Sequence, residues 1–328
     1  MNTHILLFSI ILVFAVGIIS MRLRKPRPPW MAYKIRVSKK DLIINIMGSW
    51  GFLFIASFAE ERIIKIPNIK PTFIMFTSRF VSLLFCAFYL RKQFIRSMHF
   101  GPFTIPATMN MLASLSQVKS LEYIAVPEFA AAKALRLGLV AIVSNKKKME
   151  KIIWVIISLI AAHFMFMFEY SPKAWLVPTH IGFIWLLAFV LSDSFTSVSQ
   201  DIIFKKFKVD GVKMMFNINA LIIIILLPQI IFEGDILDSI YLIIDPDMLG
   251  VLCLLCISAI GAQYFTLRLI RQYGALTFVA ACTCRSVATI FIAKLFVHTN
   301  TLTWLDICEI LLFVCLILII ISKKSVWS

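Results

Sequence analysis

The chain has 328 residues, of which 60% are hydrophobic and only 15% are charged, and its formal net charge is +16. These proportions lie far outside the soluble range and exclude a water-soluble domain as the main body of the protein. So positive a charge would suggest a nucleic-acid partner in a soluble protein, but the positions of the charges indicate membrane topology and no nucleic acid.

Apolar segments near the roughly 20-residue length needed to cross hydrocarbon recur along the whole chain. We predict an all-α polytopic membrane protein with an N-terminal span followed by helices 1 to 10, and with the lipid bilayer as its first partner. In chain order the predicted spans are 4–21, 41–58, 71–90, 102–118, 124–144, 152–169, 177–199, 214–232, 248–270, 274–296 and 303–322.

Charge supports this division of the chain. Most of the 33 Lys and Arg residues fall in alternate loops and so on one side of the membrane. These segments are 21–40, 91–96, 146–151, 205–213, 268–271 and 323–324. The positive-inside rule places that side in the cytosol, so both ends of the ten-helix core are cytosolic. A retained N-terminal span would put the extreme N-terminus in the lumen.

The helix count predicts an internal symmetry. Two halves of five helices each cross the membrane an odd number of times, so the second half is inverted relative to the first, as in many secondary transporters. We divide the chain into an N-terminal span with a basic linker at 1–40, a first repeat at 41–169 and a second repeat at 170–328. The N-terminal span is expected to stay as a membrane helix, because no Lys or Arg precedes it and basic residues rather than a cleavage site follow it.

Four cations lie near the centres of predicted helices: Arg79 in helix 2, Lys133 and Arg136 in helix 4, and Arg285 in helix 9. Each such cation costs about 2.5–3.5 kcal/mol on insertion scales. One interpretation is an anion-binding site; the other is buried ion pairs with Asp193 or Glu128. For Arg79, a packing or gating pair is as good an interpretation as a site. The inverted repeat makes helices 4 and 9 equivalent, which favours a shared site for their cations.

Other chemistry finds little support. No Cys and His pattern suits a metal, and the motifs of P-loop nucleotidases, zinc proteases and serine hydrolases are absent from the sequence. We predict neither an enzyme, nor a cofactor, nor a metal.

Several segments resemble a known family. The run D-S-F-T-S at 193–197, Gln200-Asp201 and M-M-F-N-I-N at 214–219 resemble the signature of the nucleotide-sugar transporters of solute carrier family 35, subfamily B. A-K-A at 132–134 and Cys284-Arg285 are similar to that family's elements on helices 4 and 9. Within the subfamily, the details are most similar to transporters of 3′-phosphoadenosine 5′-phosphosulfate (PAPS).

The resemblance implies a ten-helix drug/metabolite transporter fold, a 5+5 inverted repeat, here with one extra N-terminal transmembrane helix. It implies an antiporter in the Golgi membrane, or alternatively the endoplasmic reticulum, that supplies PAPS for sulfation in exchange for a nucleotide such as adenosine 3′,5′-bisphosphate. Lys133, Arg136, Arg285 and Arg79 would then contact phosphate or sulfate. The amides expected to read base or ribose edges, or alternatively to join helices, are those of Asn217, Asn219, Gln200 and Gln263.

The chain departs from the family pattern near its cations. Glu128 and Phe129 replace the usual Thr and Gln ahead of the helix 4 lysine, Arg136 replaces a lysine, and Ser286 replaces a Lys or Gln. Three alternatives therefore stay open: a UDP-sugar exchanger, an adenine-nucleotide (ATP/ADP) exchanger, and a non-transporting relative that acts as a scaffold. The oligomeric state is also open, a homodimer included.

Overall fold

A computed structural model describes residues 39–64, 71–91, 100–121, 123–124, 126–144, 148–168, 180–207, 209–233 and 246–297. Within these ranges the regular structure is entirely α-helical. In chain order the helices are α1 (Lys39–Ile64), α2 (Pro71–Leu90), α3 (Phe100–Leu121), α4 (Val126–Val143), α5 (Lys148–Phe168), α6 (His180–Phe207), α7 (Gly211–Glu233), α8 (Pro246–Tyr273) and α9 (Ala275–Val297).

These helices coincide with predicted helices 1 to 9, and α3 forms although its apolar pattern is weak. The predicted N-terminal span and helix 10 lie outside the described residues. The largest difference is in α6, which continues beyond the predicted end at 199 to Phe207. The reason is that Lys205 and Lys206 are good helix formers and their charge suits a helix C-terminus. α7 then starts directly after Asp210, a residue type favoured at helix N-caps.

The described helices suit a bilayer. By length and composition, α1, α2, α6, α7 and α8 can each cross a membrane. Large apolar side chains such as Phe54, Phe88 and Ile184 are mostly exposed on them, which is costly in water but not against lipid.

By packing, the chain separates into two compact units, and each unit takes residues from both predicted repeats. Described residues of the first unit lie within 43–108 and 202–271, and those of the second within 39–42, 109–201 and 272–297. These units are defined by which residues pack together and not by internal symmetry. The repeat boundary between 169 and 170 therefore stays a prediction.

In the first unit, α2 packs against α7. Glycines permit the close approach of α1 and α8: a Cβ on Gly48 would lie 2.9 Å from the Phe265 ring, and one on Gly261 would lie 2.6 Å from the Phe52 ring. These two rings stack with their centroids 5.8 Å apart. Small residues at such contacts are typical of helices that associate in membranes.

In the second unit, α4 packs against α5 and α9, and α9 also contacts α5. The contact of α4 with its neighbours is formed by small side chains, including the buried Ala134, Ala161 and Ala162. The Ser158 hydroxyl on α5 donates to the carbonyl of Ala134 at 2.9 Å, which joins the two helices through a polar contact. Close packing here fixes the position of the two α4 cations.

A sharp turn separates α8 from α9. Only Gly274 lies between them, with φ of 86°. That left-handed conformation costs glycine least, because it has no Cβ to clash with the preceding turn. The predicted loop at this place is therefore reduced to a single residue.

Candidate functional site

Two cations lie at mid-length of α4. The midpoint of Val126–Val143 falls between Ala134 and Leu135, so Lys133 and Arg136 flank it. The two residues are three positions apart, which puts them on one face of the helix. Both side chains are half-buried.

Arg136 forms an ion pair with Asp193. Its Nη1 donates to Oδ2 of that carboxylate, and the two side chains are only 11% and 23% exposed. Asp193 lies at the midpoint of α6, so the pair is formed at mid-length of both helices. Of the two interpretations of the sequence, a buried ion pair therefore holds for Arg136. The acid neutralises one cation and leaves the Nε of Arg136 buried without a hydrogen bond in the described part of the chain.

Arg136 also contacts α9. Its guanidinium carbon lies 5.6 Å from the centroid of the Phe278 ring. Phe278 and Cys282 are four residues apart, so both lie on the stripe of α9 that contains the contact with Arg136.

Arg285 continues this stripe. It lies three residues beyond Cys282 and therefore on the same face of α9, next to the helix midpoint at Ser286. Its side chain is half-buried. Ser286, which replaces a Lys or Gln of the resembled family, donates its hydroxyl back to the carbonyl of Cys282 at 3.2 Å and adds no charge. The second unit thus gathers Lys133, Arg136 and Arg285 on helices that pack together.

Lys133 lies against an aromatic ring. Its ammonium nitrogen is 4.5 Å from the centroid of Phe129, one turn earlier in α4. That ring is buried and packs against Phe189 of α6, with centroids 4.9 Å apart and the ring planes inclined at 36°. The contact is a cation–π interaction, which favours the charged lysine without adding an opposite charge.

The first unit holds a separate polar cluster. Arg79 lies at mid-length of α2, and its Nη1 donates to the side-chain oxygen of Asn219 on α7 at 3.4 Å. The carboxamides of Asn219 and Gln263 on α8 bond reciprocally, at 3.0 and 3.3 Å. The structure therefore brings together three predicted site residues, Arg79, Asn219 and Gln263. The amides of Asn219 and Gln263 form hydrogen bonds with each other, which is the alternative role of joining helices.

The two other predicted amides lie elsewhere. Asn217 is buried and donates to the carbonyl of Lys213 in its own helix at 2.7 Å. Gln200 is buried on α6, two helical turns after Asp193, which places it about 10 Å further along the helix axis.

Sequence reasoning missed the role of two phenylalanines. Phe129 was recognised only as a departure from the family pattern, although its spacing of four residues from Lys133 is a signal for a side-chain contact on a helix. For Phe278 no such signal exists, because its contact with Arg136 depends on which face of α9 meets α4. Among the described residues, no group of three His, Cys, Asp or Glu side chains is placed to hold a metal ion.

Comparison with known proteins gives a coherent result. The model of the UAA transporter family matches residues 41–323. Adenosine 3′-phospho 5′-phosphosulfate transporter 1 of Homo sapiens is 24% identical over 295 residues, covering 84% of this chain and 66% of the relative. Its Drosophila melanogaster namesake is 24% identical over 250 residues, covering 73% and 54%. UDP-galactose/UDP-glucose transporter 5 of Arabidopsis thaliana is 23% identical over 289 residues, covering 80% and 81%. The chain thus spans less than two thirds of the length of the phosphosulfate-transporter relatives.

Proposed function

We propose a function from one premise, that the chain belongs to the UAA transporter family. In this proposal the multi-pass membrane protein is a secondary antiporter of multiply charged nucleotides. That family comprises nucleotide-sugar transporters, not enzymes. The substrate we propose is PAPS, carried from the cytosol into the Golgi lumen in exchange for adenosine 3′,5′-bisphosphate or a related nucleotide.

One observation carries the proposal: three cations gather at mid-length of packed helices. Lys133, Arg136 and Arg285 lie on helices of the second unit that pack together, and Arg136 pairs there with Asp193. Cations in hydrocarbon are expensive and mark substrate or ion pathways when they occur. A ligand with several phosphates or a phosphosulfate group has the negative charge that suits such a cluster of cations.

Helix packing supports the 5+5 inverted repeat. An inverted repeat of five helices makes helices five places apart equivalent, and two such pairs, α2 with α7 and α4 with α9, are in contact. Contact between equivalent helices is expected next to the symmetry axis, where the midplane substrate sites of secondary transporters are formed. We propose the drug/metabolite transporter fold on this basis, with the predicted N-terminal span as an additional helix.

The direction of α4 and α9 supports a shared site. Helices five places apart cross the membrane in opposite directions if each intervening helix crosses once. The α9 stripe from Phe278 through Cys282 to Arg285 then runs in the same direction as the α4 face followed from Arg136 back to Lys133. Arg285 accordingly extends from the contact with Arg136 toward the level of Lys133, where the two cations can bind neighbouring anionic groups of one ligand.

The proposed mechanism is alternating access around this midplane site. The planar fork of Arg285 grips one phosphate through two charge-assisted hydrogen bonds, and Lys133 contacts another anionic group as a point charge. Arg136 contributes donors that Asp193 does not use. In the first unit, Arg79 is anchored to Asn219, and its role in substrate binding stays a prediction. For Asn219 and Gln263 we now favour joining α7 to α8 over reading a base, because their carboxamides bond to each other.

The relative named for UDP-galactose and UDP-glucose transport supports a second candidate, a UDP-sugar exchanger. Both candidates need cations for phosphate, so the charges alone do not separate them. A panel of PAPS, UDP-galactose, UDP-glucose and ATP, offered to proteoliposomes loaded with adenosine 3′,5′-bisphosphate, distinguishes the substrates. Exchange of UDP-sugars or ATP without PAPS would retain the antiporter and change its substrate, whereas no exchange by folded protein would favour a scaffold.

Arg285 provides the decisive variant. Arg285→Ala removes the proposed phosphate fork, and we expect PAPS exchange to fall by at least about 30-fold, corresponding to ~2 kcal/mol. The matched control is Lys205→Ala, which removes one positive charge from an exposed position near the end of α6. Wild-type exchange by Arg285→Ala in these proteoliposomes would refute the anion-site proposal.

A further inference from the structure

We infer that Phe129 is a positioning residue for the substrate: its ring holds the Lys133 ammonium in place to receive the anionic group of the nucleotide. This inference rests on the proposed function and assigns the same site a residue that its cations alone do not reveal.

The geometry of the pair is set largely within one helix. Lys133 follows Phe129 by four residues, so the two side chains lie one above the other on α4. Long side chains on a helix lean toward its N-terminus, which directs the lysine back over the ring. The observed 4.5 Å between the ammonium and the ring centroid is well inside the range of a cation–π contact.

The ring itself is held by tertiary packing. Phe129 is 4% exposed and belongs to an apolar cluster with Ala113, Ala132, Phe189 and Val190. Phe189 packs against it from α6. A ring enclosed in this way cannot turn aside, so the ammonium rests on a rigid surface.

The chemistry of the contact differs from that of the neighbouring cation. Asp193 meets the charge of Arg136 with an opposite formal charge. The ring of Phe129 stabilises a cation through its quadrupole and itself carries no formal charge. An ammonium donates in three directions, which allows it to rest on the ring and bind an anion at the same time.

This arrangement gives an expected kinetic signature. Loss of the ring removes one contact that orders the lysine side chain, so more of its freedom must be lost when the anion binds, and this weakens substrate binding more than turnover. For Phe129→Leu we expect the KM for nucleotide exchange to rise about threefold to tenfold, with kcat changed less than about twofold. Phe129→Trp keeps a ring with a stronger quadrupole and is expected to keep KM near the wild-type value.

A graded substitution separates electrostatics from shape. Fluorinated phenylalanines at position 129, with one, two and three fluorine atoms, keep the ring while progressively weakening its quadrupole. We expect the logarithm of KM to rise in step with fluorination. A KM that stays flat across the series would overturn the inference, because the ring would then serve only packing. A KM that falls when the ring is weakened or removed would also overturn it, because the ring would then compete with the substrate for Lys133.

Phe204→Leu is the matched control. It removes a ring of similar burial from α6, but one outside the apolar cluster that holds Phe129. We expect it to lower the melting temperature in detergent without changing KM. Equal effects of Phe129→Leu and Phe204→Leu on both quantities would refute positioning. The wild type is assayed in parallel. If the wild type exchanges no nucleotide, the proposed function fails. If it exchanges nucleotide and the Phe129 variants leave KM unchanged, only this inference fails.

Discussion

The ion pair between Arg136 and Asp193 joins two helices at mid-length, where a single charge of either sign would be expensive. Taking one charge out of water costs several kcal/mol, so each partner depends on the other for its place in the fold. The guanidinium has five N–H donors, and its Nε is buried without a hydrogen bond among the described residues. Arg136 therefore has a structural role beside the ligand-binding role that we propose for it.

Asp193→Asn tests the structural role. It leaves the Arg136 charge without its acid, and we expect the free energy of unfolding to fall by about 3 kcal/mol, seen as a melting temperature about 5 °C lower or more. An added nucleotide should restore part of the loss, because its phosphates can meet the exposed charge. Asp210→Asn is the control: the Asp210–Arg271 pair is exposed, with side chains 49% and 33% accessible, so its loss should change little. Equal melting of the two variants would contradict this account.

Among the helices of the first unit, the reciprocal amide pair of Asn219 and Gln263 joins α7 to α8. Asn219 is fully buried, and its side-chain oxygen accepts from both Gln263 and Arg79. An amide without a partner is costly in hydrocarbon, and hydrogen bonds between membrane helices contribute about 0.6 kcal/mol on average and ~1.7 at most. The network thus holds α2, α7 and α8 in register.

A double-mutant cycle measures this network. We expect Asn219→Leu and Gln263→Leu each to destabilise the protein by about 1–2 kcal/mol, because each leaves the other amide unsatisfied. The double variant should lose less than the sum of the two, since no unsatisfied amide remains from the pair. Unfolding in detergent followed by tryptophan fluorescence gives the three values. Strict additivity would mean that the two amides act independently.

Over the whole molecule, positive charge alternates from loop to loop, and it defines the proposed orientation. The basic loops are predicted to lie on one side whichever helix bounds are used, because the differences between predicted and observed bounds, at most eight residues at the end of α6, leave the order of helices and loops unchanged. Even the extension of α6 to Phe207 leaves Lys205 and Lys206 exposed at its end. Orientation is therefore a property of the charge distribution rather than of packing.

Cysteine labelling in sealed Golgi vesicles tests this orientation. In a cysteine-free background, Lys205→Cys should react with a membrane-impermeant maleimide in intact vesicles, whose outer surface is cytosolic. Arg62→Cys, at the exposed end of α1, should react only after detergent opens the vesicles. The reverse pattern, or equal labelling of both sites in intact vesicles, would contradict the proposed topology.

Much of the described architecture could be predicted from apolar length and charge. Hydrophobic segments separated by charged loops predicted the nine described helices, with ends that differ from the observed ones by at most eight residues, since both signals are local. The mid-length positions of Lys133, Arg136 and Arg285 followed directly from those bounds. The contacts that these cations make with other helices did not follow from the sequence. Such contacts depend on which helix faces meet, and the apolar sequence of a membrane helix carries little information about that.

The amino-acid sequence alone was enough to predict that the chain crosses a membrane many times, which side each loop takes, and that cations lie at mid-length of apolar helices. It left open whether those cations serve an anion or pair with acids. The packing of helices was needed to show that Arg136 pairs with Asp193, that Phe129 is held against Phe189, and that Asn219 bonds to Gln263. Insertion energy depends on the residues of one segment, whereas these contacts depend on which helix faces close packing brings together.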